Sequence, residues 1–285
     1  MKKANIIVLA GQSNAVGVGH VKCLPKHFSA EKIAKWRNGY ENVKINYFSH
    51  DKKSGGFVKT TVNCAETTKD TFGPELGIAD ALDEKYPGRE FFIVKCAFGG
   101  MSMWHDYLSP SGGEDYDPLS YADQYEHIVA AIESGKKARA GWCYNELVKL
   151  MAESIAYLEE NGYTPAIKAF CWMQGENDAC TDETTESYAR HYDAMLRDFK
   201  AEFVKYLDKC LFIDAGISTV WERFERLDQI KRDYAKYRPD CVYIDTIAAG
   251  LTTENEPPEA PDLYHYDSDC VIKLGHLFAD NMTNL

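Results

Sequence analysis

A serine, a histidine three residues after an aspartate, and a small set of amide donors are the residues here whose types suit a single chemistry. Ser13 stands in Gly11-Gln12-Ser13-Asn14, directly after the apolar run NIIVLA, while Asp262 and His265 stand in DLYH near the end of the chain. A serine hydroxyl becomes a nucleophile when a base takes its proton, and an imidazole is that base when a carboxylate holds its tautomer. The oxyanion that then develops must meet amide donors. Asp262 and His265 can share one side of a turn, so that the carboxylate steadies Nδ1 while Nε2 faces Ser13. Gly100 lacks a Cβ and can bring its N–H close to a substrate, and Gln174 can add a side-chain amide. With the N–H of Ser13 these make a three-donor oxyanion hole. The competing reading of Ser13 is a helix N-cap. This chemistry needs neither cofactor nor metal.

Such residues must be delivered by a scaffold, and the hydrophobic pattern predicts one. Apolar runs suited to buried strands recur at 5–10, 91–97, 166–173, 210–217 and 241–246. Between them lie helical patterns: Leu147, Leu150, Met151, Ile155 and Leu158 share one face, as do Val271, Leu274, Leu277, Phe278 and Met282. Pro74 opens a further helix, PELGIADALDEKY, where proline costs no hydrogen bond. Strands alternating with helices predict an α/β fold, a three-layer α/β/α sandwich around a parallel sheet of about five strands. Ligands then bind at the carboxyl ends of the strands. Ser13, Gly99-Gly100, Gln174 and the Asp262–His265 pair all fall at or near such ends.

The chain has 285 residues, 45% of them hydrophobic, enough for one large domain spanning 1–285. Two polar stretches, about 18–72 and 101–141, are expected to be insertions. The second carries Tyr107, Tyr116, Tyr121 and Tyr125, and is either a solvated insertion or a wall of the substrate cleft. The net charge of -12 repels a polyphosphate, so nucleic acid is not an expected partner. No apolar run approaches a membrane span, so no membrane partner is expected. The nine cysteines are odd in number and scattered mostly through apolar segments. With a start that lacks a secretory h-region, they lead to the expectation of a cytoplasmic protein. Nothing here bears on oligomeric state.

Four blocks carry a family resemblance. GQSN at 11–14, Gly99-Gly100 followed by Trp104, W-x-Q-G-E-x-D at 172–178 and D-x-x-H at 262–265 occur in order, with FGPELGIA at 72–79 between the first two. Together they resemble the SGNH-hydrolase superfamily, and within it the sialate O-acetylesterase-like group that includes carbohydrate esterase family six, the acetylxylan esterases. The resemblance covers nearly the whole chain and implies a flavodoxin-like sheet. It implies Ser13 as nucleophile, His265 as base and Asp262 as its orienter. It also implies an oxyanion hole of the Ser13 and Gly100 N–H groups with Gln174, not Asn177, as the side-chain donor. One departure is that a glycine often found soon after the histidine is replaced within Ser268-Asp269-Cys270.

Residues and resemblance together lead to a serine esterase that removes O-acetyl groups from a sugar or oligosaccharide through an acetyl-enzyme. Acetylated xylan fragments and O-acetyl sialic acids both stay open as substrates. The alternatives are an inactive carbohydrate-binding relative and a thioesterase or lipase of the same superfamily. Gln12, Asn14, Gly99, Trp104 and Glu176 are expected to bind substrate or support the site, Asn14 by bracing its own turn. Trp104 and Trp172 either stack on a sugar or belong to the core. Glu176 and Asp178 are expected to serve as hydrogen-bonding groups rather than metal ligands, because no second histidine follows at a ligand spacing. The histidines other than His265 have no motif around them. GQSNAVGVGH lacks the lysine of a phosphate loop, and no G-x-S-x-G elbow surrounds Ser13.

Overall fold

The computed structural model describes residues 2–62, 70–113 and 140–285. Six strands, Lys2–Gly11 (β1), Tyr40–Ser49 (β2), Phe91–Ala97 (β3), Tyr163–Met173 (β4), Leu207–Ala215 (β5) and Cys241–Ile244 (β6), pair in parallel in the order β2-β3-β1-β4-β5-β6. Two short antiparallel strands, Lys52–Lys53 and Val58–Thr60, extend the sheet beyond β2. Packed with the sheet and with one another are the helices Ser13–Val16 (α1), Ala30–Asn38 (α2), Pro74–Lys85 (α3), Trp142–Glu160 (α4), Asp182–Glu202 (α5), Phe224–Lys236 (α6) and Ser268–Asp280 (α7).

The five apolar runs all become strands: four are buried along most of their length, as in parallel sheets covered on both faces, while β6, at the edge of the sheet, is mostly half-buried. Finding β2 corrects the expectation of an insertion over 18–72. Its sequence YENVKINYFS keeps charged residues in partly exposed positions, giving a broken pattern instead of a continuous apolar run. The described part of the second stretch also differs from expectation. Ser102 to Tyr107 are buried, and Tyr107 walls no cleft: its hydroxyl donates to Gly11 O at 2.7 Å and its ring meets Trp172 edge-on at 4.8 Å. Tyr116, Tyr121 and Tyr125 lie outside the described residues. Among the described residues no helix is long and apolar enough to cross a membrane.

The chain begins at β1, moves two places away to β2, returns to β3, and then crosses to β4 on the other side of β1. Reversal of strand order at β1 opens a crevice at the carboxyl ends. Register makes this local: Gly11 is paired with Ala97 of β3 and with Met173 of β4, and Ser49 of β2 is also paired with Ala97. Four strands therefore end at one level. Gly11 permits this closeness, for a Cβ there would stand 1.9 Å from Met173 O.

Helix α1 has four residues and no stability of its own. Lys95, buried in β3, anchors its end by donating to Val16 O and to Glu75 Oε2, both at 2.6 Å. Glu75 in turn accepts from Gly73 N at the start of α3. The FGPE turn and the serine turn are thus joined through one buried ion pair. Against α3 lies α7, the two meeting at Gly77 and Gly275, where a Cβ on either would strike the other's backbone at 2.2 Å. The contact places α7, and the loop that leads into it, beside the serine turn.

Candidate active site

At the crevice lies a cleft of about 480 Å³ lined by residues from five strand ends and the loop before α7, among them Gln12, Ser13, His50, Gly99, Gly100, Asn177, Trp221, Asp262, Tyr264 and His265. Ser13 follows β1 and opens α1. Its side chain caps nothing, since Gln12 occupies the N-cap position and no side-chain cap bond forms. The N-cap reading of Ser13 therefore falls away. No hydrogen bond joins Ser13 Oγ to His265 here; both open to the same cleft.

Asp262 and His265 form the closest polar pair of the cleft. Asp262 Oδ2 stands 2.6 Å from His265 Nδ1, and Asp262 Oδ1 accepts from Tyr264 N at 3.0 Å. Partial burial pushes the Asp262 carboxyl up, but the His265 and Tyr264 hydrogen bonds outweigh it and hold the group below its ordinary value. An ionised carboxylate on Nδ1 leaves Nε2 as the free ring nitrogen.

Asn14 braces a turn, but not its own. Its Oδ1 accepts from Tyr266 N at 3.1 Å and its Nδ2 lies 3.4 Å from Tyr264 O, so one side chain grips the backbone on both sides of His265. Glu176 fixes that amide by accepting from Nδ2 at 2.7 Å. Glu176 is fully buried, and burial raises its carboxyl, opposed by the Asn14 bond. Both residues lie behind the cleft as supports.

Gln174 departs from the sequence expectation. It is fully buried and absent from the cleft wall, with Nε2 engaged by Gln12 Oε1 at 3.2 Å, Met101 O at 3.0 Å and Asp178 Oδ2 at 2.5 Å. The clamp is Asp178, whose carboxyl is pushed up to about 7 by burial, countered by Gln174 and by the N–H of Met103. Asp178 thereby ties the loop after Gly100 to the end of β4. Gln12 takes the opposite course. Its Oε1 accepts from Gln174 Nε2 and faces the N–H groups of Asn177 at 3.3 Å and Gly175 at 3.5 Å. With the oxygen turned inward, Gln12 Nε2 has no partner among the described residues, and Gln12 is one of the residues that line the cleft. The N–H groups of Ser13 and Gly100 are likewise without an acceptor among the described residues. Gly100 adopts φ 69°, and a Cβ there would meet open space.

Trp104 and Trp172 are fully buried, which removes both as sugar-stacking groups. His50 and Trp221 line the cleft from outside the four sequence blocks, whereas Asn177 and Tyr264 fill unspecified positions of W-x-Q-G-E-x-D and D-x-x-H. His50 and Trp221 follow β2 and β5, so the strand-end rule applied to every strand points to both. His50 has φ 53°, and burial lowers its basicity.

Residues 3–284 match the family of carbohydrate esterases described as sialic acid-specific acetylesterases. The chain belongs to this family. It is accordingly a carboxylic ester hydrolase of the carbohydrate acetylesterase kind. Solved structures share the fold. A protein of Arabidopsis thaliana is 17% identical with a TM-score of 0.64, covering 99% of this chain and 100% of its own. NanS is 18% identical with a TM-score of 0.64, over 99% of this chain and 97% of its own. XAC1771, a carbohydrate acetylesterase from Xanthomonas citri, is 14% identical with a TM-score of 0.59, over 96% of this chain and 55% of its own. No curated protein sequence matches. The family match spans all four sequence blocks, and Gln12, Ser13, Gly99, Gly100, Asn177, Asp262 and His265 of those blocks line one cleft.

Proposed function

We propose that this family member removes O-acetyl groups from a sugar or oligosaccharide by way of an acetyl-enzyme on Ser13. The observation that carries the reading is the 2.6 Å Asp262–His265 pair in the same cleft as a serine that caps no helix. Ser13 Oγ attacks the acetyl carbonyl as its proton passes to His265 Nε2, and the imidazolium is stabilised by Asp262. The oxyanion is met by the N–H groups of Ser13 and Gly100 and by Gln12 Nε2, which takes the place expected of Gln174. Collapse breaks the bond to the sugar oxygen, which leaves with the proton from His265. Water then attacks the acetyl group, giving its proton to His265; acetate departs and the proton returns to Ser13.

The test is acetate release from acetylated xylo-oligosaccharides and O-acetyl sialic acids by the full chain. Release from either set supports the reading, and the ranking names the sugar. Release from none, with binding of the free sugars retained, would make the protein a binding relative.

The Gln12 assignment has its own test. Gln12→Glu keeps an oxygen for the inward N–H groups and replaces the donor facing the cleft with a carboxyl group. Loss of one oxyanion donor is expected to lower kcat about 10²–10³-fold with little change in KM. A kcat within threefold of wild type would return the role to another group.

A further inference from the structure

Trp221 and Tyr264 line the cleft, and the reaction above gives them no task. Tyr264 immediately precedes His265 and is 53% exposed, although its backbone is fixed at both ends by Asp262 Oδ1 and Asn14 Nδ2. Trp221 comes from the loop after β5, and its ring centroid lies 5.3 Å from that of Tyr264 at 51°. The indole N–H is buried without an acceptor among the described residues, so packing alone holds the ring.

We propose that Trp221 and Tyr264 form the subsite for the leaving sugar, stacking on the C–H face of the pyranose whose hydroxyl is released. The proposal rests on the acetylesterase reading. His265 must reach the leaving oxygen, so the sugar lies beside His265, and Tyr264 is its covalent neighbour. An acetyl group has only three heavy atoms and fills a small part of a 480 Å³ cleft, which leaves room for a sugar ring. A pyranose needs an apolar surface for its C–H face and amides for its hydroxyls. The two rings supply the first. Asn177 supplies the second: it lines the same cleft, and its side-chain amide has no partner among the described residues.

Two measurements test this. In steady-state acetate release, Trp221→Ala and Tyr264→Ala are each expected to raise KM about tenfold on the sugars that wild type deacetylates, with a smaller fall in kcat. Trp221→Phe, which keeps an aromatic face, restores KM to near the wild-type value. Melting curves confirm that each variant is folded. In the second measurement, tryptophan emission of the full chain is followed during titration with unacetylated xylotriose and, separately, with N-acetylneuraminic acid. A saturable change is expected with one of them in wild type and is lost in Trp221→Phe; which sugar gives it tells a neutral from an acidic pyranose. Unchanged KM in both alanine variants overturns the subsite and leaves the esterase standing. If wild type deacetylates no sugar, the esterase reading fails, and the titration alone decides the platform: no saturable change with either sugar overturns it.

Discussion

Ser13→Ala is expected to lower kcat for acetate release by on the order of 10⁴-fold or more, the scale seen when a hydrolase loses the nucleophile of a triad. The hydroxyl is the atom to which the acetyl group is joined, so nothing left in the cleft replaces it. Water activated by His265 remains as the residual route. Stability, unlike activity, is expected to change little. Ser13 Oγ caps no helix and α1 is held by Lys95 at its other end, so the substitution should change unfolding free energy by less than about 1 kcal/mol. Activity and thermal melting measured on one preparation separate the two roles. Acetylated Ser13 should also be found by mass spectrometry in wild type quenched during turnover. Substantial activity retained together with a large fall in melting temperature would make Ser13 a structural residue.

Asp262→Asn is the second large effect, expected at about 10⁴-fold in kcat with KM little altered. Asp262 Oδ2 accepts from Nδ1 at 2.6 Å, which keeps the proton on Nδ1 and the lone pair on Nε2. An asparagine in the same place can turn its NH₂ to the ring and favour the opposite tautomer, in which Nε2 carries a hydrogen and cannot take the serine proton. Because Tyr264 N also donates to Asp262 Oδ1, an oxygen is retained for that bond and the loop keeps its shape. Kinetics at several pH values, with a melting curve as control, are the measurement. A loss of less than tenfold would mean that Asn14 and Glu176, which hold the backbone around His265, position the base without help from the carboxylate.

Several parts of the site were legible because they are local. GQSN follows an unbroken apolar run, and D-x-x-H places a carboxylate within reach of a ring across one turn. Gly99-Gly100 marks a turn, and Gly100 takes φ 69°, a conformation that glycine adopts at no steric cost. Gln174 was misjudged for a physical reason. An amide at a strand end can point either way, and its direction is set by Asp178 four residues on and by Met101 O from another loop. The same exchange made Gln12 visible only after folding, since three inward donors had to come together around its oxygen.

Hydrophobic periodicity is a property of neighbours in the chain, and it was enough to establish five of the six parallel strands, the helices α3, α4 and α7 and the edge of the sheet to which ligands were expected to bind, while α2, α5 and α6 were not read from it. The remaining strand, β2, was hidden because it lies toward the side of the sheet completed by short antiparallel strands, and Glu41 and Lys44 break its apolar run. With it went His50. Asn14 reaching residues on either side of His265, 250 and 252 positions away, follows from no local pattern. It exists because β1, β3 and β4 end in register and because α7 is seated on α3 through two glycines. Identity of the reacting groups is encoded residue by residue, whereas their directions, their supports and the aromatic wall beside them arise where distant segments compete for the same few hydrogen bonds and the same small volume.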